Sequence, residues 1–220
     1  MSKAEIRRWR LWVLIFWLLA SAILVALRWP AIEALALSDT DDNLRLAQVR
    51  ALLAGQRWSD LAQYRLGGPQ AFDIHWSRIV DLPLAAIILA LEPLAGREWA
   101  ERIAATMAPL LAMGAAMAAM AVTARRLIAP GAFALALATL LAAPNALAMW
   151  MPTRIDHHGW QLALLALLLA GIADPRRARG GIAMGLASSL SLGIGLEMLP
   201  YVAAAGAAAL AGWAWDAREG

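Results

Sequence analysis

Six apolar stretches dominate the chain: Trp9–Leu27, Ile103–Ala124, Gly131–Trp150, Trp160–Ala173, Ile182–Leu196 and Tyr201–Trp215. Hydrocarbon offers the backbone no hydrogen-bond partner, so a segment that enters it must satisfy its own N–H and C=O groups. Uncharged runs of this length do so as helices. A perpendicular span needs ~20 residues, and the shorter runs borrow from their flanks. With 62% hydrophobic and 16% charged residues, the composition excludes an ordinary soluble domain. The expected fold is an all-α polytopic membrane protein with about six transmembrane helices, forming one membrane domain.

The N-terminus, "MSKAEIRRWR" followed by "LWVLIFWLLASAILVAL", has the basic region and apolar core of a signal peptide. The apolar run is long enough to span, and "RWPAIEAL" follows it in place of a small-residue cleavage site, so it reads as an uncleaved first helix. A net charge of +3 does not point to nucleic acid, because the basic residues gather at helix ends. The chain has no cysteine, which excludes thiolate metal sites and disulfides.

A seventh apolar stretch, Ile79–Ala95, is interrupted by Asp81, Pro83, Glu92 and Pro93. Basic residues favour the cytoplasmic side. With Lys3, Arg7, Arg8 and Arg10 placed there, Arg125, Arg126, Arg176, Arg177 and Arg179 join them only if this stretch does not cross. It therefore reads as a re-entrant or interfacial segment of about 79–95 within a long external loop, 28–102. Both "SDTDDNLR" and "RIDHHGWQ" then lie on the non-cytoplasmic face, with His75, His157 and His158. The expected location is the inner membrane of a bacterium, with the motif loops periplasmic.

"SDTDDNLRLAQVRALLAGQ" predicts an amphipathic helix over about 40–54. Ser38 and Asp41 have capping-box spacing, Leu46, Val49 and Leu53 form a stripe with Arg45, Gln48 and Arg50 elsewhere, and Gly55 is a stop. Asp39, Asp41 and Asp42 read either as a cap that favours the helix dipole or as carboxylates gathered for Mg²⁺ or Mn²⁺. In "YRLGGPQAFDIHWSRIVDLPL", a Gly-Gly-Pro turn precedes His75, Trp76 reads as an interfacial anchor, and Arg78 either faces a lipid phosphate or is a surface charge.

"MWMPTRIDHHGWQ" is bracketed by Trp150 and Trp160, read as belt residues, and Pro152 ends the incoming helix. His157 and His158 diverge in any regular backbone, whereas Asp156 and His158 can converge as half of a divalent site. The competing reading is a solvated loop. Glu197 adds an acid at the outer turn between the last two runs.

This layout resembles the N-terminal membrane half of the GT-C glycosyltransferases, most closely the catalytic subunit of oligosaccharyltransferase and its bacterial relatives. "DNLRLAQVR" is similar to the family's first-loop aspartate segment, which implies a metal-binding and catalytic role for Asp42. "RIDHHGWQ" resembles the second-loop Asp–x–acid motif, which implies metal-facing roles for Asp156 and His158 and a donor-phosphate role for Arg154. "HWSRIVDLPL" resembles the proline- and arginine-bearing stretch and implies the same phosphate role for Arg78. His158 stands where the family has an acid, which suits Mn²⁺ better than Mg²⁺. The family has many more helices and an external C-terminal domain, so a fragment, or one piece of a split enzyme with a partner chain, is implied.

The resulting expectation is a glycosyltransferase that takes sugar from a polyprenyl-phosphate or polyprenyl-diphosphate donor at the outer face, assisted by a divalent cation. Asp41, His75, His157 and Glu197 are further site candidates. The alternative is a non-catalytic polytopic protein, transporter-like or an assembly partner.

Overall fold

The computed structural model describes residues 8–68 and 71–219; Lys3, Arg7 and Pro69, used above, lie outside them. The fold is mostly helical (76%). Helix α1 is Trp9–Glu33 and α2 is Thr40–Leu53. A two-residue antiparallel ladder, β1 (Ala62–Gln63) with β2 (Phe72–Asp73), pairs Ala62 with Asp73. After a 3₁₀ turn at Arg78–Val80 come α3 (Asp81–Leu127), α4 (Phe133–Leu141), α5 (Pro144–Ala148), α6 (His158–Ile172) and α7 (Arg177–Ile194). A 3₁₀ turn at Leu196–Met198 leads into α8, Leu199–Glu219.

Among the described residues, three segments are long and apolar enough to cross a membrane: Trp9–Glu33, Arg78–Leu127 and Leu196–Trp215. The other apolar runs differ from simple spans for identifiable reasons. Residues 131–150 are split because Pro144 opens α5 and the residue before it, Ala143, takes an extended conformation. Helix α6 has 15 residues, ~22 Å of rise. The apolar character of α7 is diluted by glycine and serine in "GGIAMGLASSLSLG".

Helix α3, at 47 residues, would be ~70 Å long if straight, more than twice a hydrocarbon core. It breaks at Gly96, where φ is +75° and ψ 162°, a conformation closed to side-chain-bearing residues. The arm nearer the acidic motifs, the outer arm, therefore ends at Ala95 and a separate arm begins at Arg97, so residues 81–95 are one arm of a bent helix.

Two cores follow from this bend. In the larger, Val13 and Leu24 of α1 meet Met113 and Met117 of α3, Phe133 and Leu137 of α4, and Ala163, Ala166 and Ala170 of α6. Alanines 100, 104, 108, 112 and 116 are all buried along one line of α3. Side chains this small let neighbouring backbones approach closely. The second core packs Leu46 and Val49 of α2 against Leu84 and Ile88 of the outer arm, Ala100, Ala104 and Ala108 beyond the bend, and Ile155 from the α5–α6 loop.

The two ends of the bundle differ in charge. At one end, Arg125 lies over the ring of Trp9 at 4.8 Å, and Arg126 and Arg179 both pair with Asp174, at 2.8 and 2.6 Å. The predicted acidic and histidine motifs occupy the opposite end.

Candidate functional site

The site is built where α2 begins. Asp39, in an extended conformation, is the N-cap: its carboxylate accepts from Asp41 N–H (2.9 Å) and Asp42 N–H (3.1 Å), while Asp42 Oδ2 accepts from Asp39 N–H at 3.1 Å. The capping box is therefore Asp39 with Asp42, one residue later than the Ser38–Asp41 register expected. Ser38 instead accepts from Arg28 at 3.4 Å. A carboxylate takes two backbone N–H groups at once and favours the dipole, so it outcompetes a hydroxyl at this position.

The other oxygen of Asp42 reaches across to the second loop. Oδ1 accepts from the N–H groups of Ile155 (2.7 Å) and Asp156 (2.9 Å). Ile155 is 2% exposed in the outer core. Burying such a side chain contributes about 1.5–3 kcal/mol, comparable to the ~1–2 kcal/mol that ordering one residue costs. The apolar plug and the two N–H bonds are together sufficient to fix the loop.

Arg154 completes the convergence. Its Nη1 donates to Asp39 and to Asp42 Oδ2, the latter at 3.3 Å, and its Nη2 pairs with Asp156 Oδ2 at 2.6 Å. The residue before it, Thr153, is wholly buried at φ +74°, a strained conformation for a residue with a branched side chain. Its N–H donates to Ala105 O at 3.0 Å and its hydroxyl accepts from Arg28 at 3.0 Å, and these bonds hold the strain. Gly159 lets the loop turn closely into α6: a Cβ there would stand 2.6 Å from Met149 O.

Asp156 Oδ1 accepts from His158 N–H (3.0 Å), and Oδ2 lies 3.1 Å from His158 Nδ1. Burial raises the Asp156 pKa, but the His158 bond and the charges of His158 and Arg154 outweigh it and hold the group below its ordinary value. His158 is raised in return, chiefly by that same bond. Asp42 goes the other way, to about 7, driven first by burial and then by the Asp156 carboxylate, with the two backbone N–H bonds opposing. His157 is lowered, first by burial and then by the charges of His158 and Arg45. Its ring stacks on His158 at 4.4 Å, and its Nε2 lies 3.3 Å from Glu197 Oε1, whose other oxygen accepts from Gln161 at 2.9 Å.

The structure thus brings together Asp42, Arg154, Asp156 and His158, with His157 and Glu197 adjoining. Asp41 lines a separate cavity with Asn43, Leu44 and Arg65, and His75 is exposed with its ring edge-on to Trp76. Arg78 lies elsewhere as a tie between segments: 2% exposed, its two terminal nitrogens donate to Gln48 O (3.2 Å), Gln56 Oε1 (2.8 Å) and Asp60 O (2.5 Å) and pair with Asp81 at 3.5 Å. Arg45 and Gln48, expected off the buried stripe, are buried too. Arg45 pairs with Asp81 at 2.8 Å, and Gln48 accepts from the Trp76 indole at 2.6 Å. Trp76 and Trp150 are buried, not at a lipid interface; Trp150 donates to Gly159 O at 2.9 Å. The residue that sequence reasoning missed is Arg28, whose one signal is a lone cation ending the first apolar run.

Asp42, Asp156 and His158 have donor chemistry suited to a hard divalent ion, but each carboxylate oxygen already accepts an N–H, and the Arg154 guanidinium stands between them. Among the described residues, no group of three or more His, Asp or Glu side chains converges as metal ligands. As arranged, the set does not fit Mg²⁺ or Mn²⁺.

No family model matches the chain, and no curated protein or solved structure matches it.

Proposed function

We propose that the chain is a GT-C-type membrane glycosyltransferase. It takes sugar from a polyprenyl-phosphate or polyprenyl-diphosphate donor at the non-cytoplasmic face of a bacterial inner membrane. The reading includes six crossings, a cytoplasmic N-terminus, and residues 79–95 lying at the outer interface.

The observation that supports it is the Asp42 carboxylate accepting the N–H groups of Ile155 and Asp156, at 2.7 and 2.9 Å. Acidic motifs from two distant segments thereby meet in one buried cluster at the end of the bundle away from its basic cluster. In glycosyl transfer the C1–O bond of the donor breaks, the phosphate leaves with a growing negative charge, and the acceptor loses a proton. Arg154 is the cation available to the phosphate. Asp42, at about 7, has the proton affinity suited to a group that accepts a proton near neutral pH. The divalent cation that the resemblance implies does not fit this arrangement.

The test is sugar transfer by the chain in proteoliposomes with polyprenyl-linked donors. Asp42→Ala and Asp156→Ala should each abolish transfer while the protein still inserts and folds. Full activity in both variants would overturn the assignment. One observation favours the non-catalytic alternative: Arg154 neutralises the acids internally, as a clasp between loops would. That reading predicts no donor binding and a purely structural loss in both variants.

A further inference from the structure

The place of the donor tail can be read from two cavities whose lining residues are neighbours along α1 and at the end of α5. One, of about 360 Å³, runs along α1 and is lined only by apolar side chains, among them Phe16, Leu19, Ile23 and Leu24, with Leu141 and Leu147 opposite. The other, of about 390 Å³, is lined by Arg28, Ser38 and Arg154 together with Ala148, Met149 and Met151. The linings adjoin on both sides. Leu24 and Arg28 are one helical turn apart, ~6 Å of rise, and Leu147 and Ala148 are consecutive. From Phe16 to Arg28 the path covers roughly 18 Å of helix.

Arg28 gives this path a head end. Its Nη2 donates to the hydroxyls of Ser38 and Thr153, its Nε is buried with no hydrogen-bond partner, and no carboxylate pairs with it among the described residues. Arg154, on the same cavity, is paired with Asp39, Asp42 and Asp156. Arg28 is therefore the cation whose charge is uncompensated, and a guanidinium suits phosphate in fork geometry.

The geometry points to a binding site for a single-chain prenyl phosphate, with its tail in the groove between α1 and α4–α5 and its phosphate on Arg28 beside Arg154. This deepens the donor reading above and rests on it for the identity of the chain. One groove takes one chain, so the site suits a prenyl phosphate better than a two-chain phospholipid. It also moves the phosphate away from Arg78, which is 2% exposed and tied to Gln48, Gln56, Asp60 and Asp81.

The experiment measures farnesyl phosphate binding to the full chain in phosphatidylcholine nanodiscs. Farnesol, inorganic phosphate and phosphatidylglycerol-containing nanodiscs serve as competitors. Arg28→Gln should weaken binding about tenfold, the loss of one charge-assisted bond. Ile23→Trp, at a position 60% exposed and so safe for folding, should block the groove and weaken binding comparably. Ile182→Trp, on an exposed face of α7, should change nothing. Farnesol and phosphatidylglycerol should compete poorly, and inorganic phosphate alone should not displace the probe.

Three results would overturn the site: no binding by wild type, equal binding by Arg28→Gln and Ile23→Trp, or equal competition by phosphatidylglycerol. Transfer activity is a separate readout. Transfer with unaltered binding in both variants removes this site and leaves the proposed function standing. Groove-dependent binding without transfer does the reverse.

Discussion

Asp42 and Asp156, 114 residues apart, share one arginine: Arg154 lies 3.3 Å from the first carboxylate and 2.6 Å from the second. The guanidinium compensates two buried acids at once, and the backbone N–H of Asp156 returns a bond to Asp42. Substituting any of the three leaves an unmatched group in a dry place.

Arg154→Ala should therefore cost about 3 kcal/mol of stability, the usual penalty for stranding a buried charge partner. Arg154→Lys should recover less than half of it, because a point ammonium cannot reach both carboxylates as a fork does. Thermal unfolding in detergent measures both. A loss below ~1 kcal/mol for the alanine variant would show the pairs to be surface-like.

The pH dependence should run against the usual direction for a carboxylate. Asp42 is raised from 3.8 to about 7, so the folded state holds a proton there that the unfolded state has released. Its contribution to stability is complete below 3.8 and is lost as pH rises through about 7. Wild type should lose stability as pH rises from about 4 to about 7 and level off above that, and Asp42→Asn should flatten the profile. Asp156, held low, acts oppositely: its contribution is present above 3.8 and disappears only in stronger acid. An identical profile in wild type and Asp42→Asn would exclude Asp42 as the titrating group.

Metal affinity should rise when Arg154 is removed. Arg154→Ala vacates the point between Asp42 and Asp156 and leaves two carboxylates with the His158 imidazole nearby, a donor set that Mn²⁺ accepts. Mn²⁺ titration followed by calorimetry or electron paramagnetic resonance should find tighter binding in the variant than in wild type. Tighter binding in wild type would mean that the guanidinium leaves the carboxylates when the metal arrives.

Ile155 is the apolar anchor of the second loop. Ile155→Ala should cost about 2–4 kcal/mol through the cavity it leaves. It should also speed hydrogen exchange at Arg154–His157 more than at α2. Uniform acceleration across the outer layer would show that loop and helix open as one unit.

Much of this was legible because periodicity and local chemistry report local structure. The start of α2, the basic end formed by Arg125 and Arg126, and the two acidic motifs all stand in the sequence. What was not legible depends on the third dimension. Arg45, Gln48 and Arg78 read as surface residues because nothing in their own segment reveals Asp81 or the Trp76 indole waiting to partner them. Trp150 reads as a belt residue until Gly159 makes room for the chain to fold back on it. The Asp39 cap is favoured locally by its two backbone N–H bonds, but the contact from Arg154 that joins it to the second loop comes from another element. The break in α3 at Gly96 was signalled only by the interruptions at Glu92 and Pro93.

The double duty of Asp42 fixes an order of events in biosynthesis. This carboxylate closes the first turn of α2 with one oxygen and receives Ile155 and Asp156 with the other. It leaves the ribosome 113 residues before Ile155, roughly ten seconds of synthesis at ordinary rates. Throughout that interval the second oxygen lacks both of its backbone partners. The cluster comes into being when the later loop emerges on the same side of the membrane, so a chain inserted with that loop on the wrong side would keep its helices and have no site.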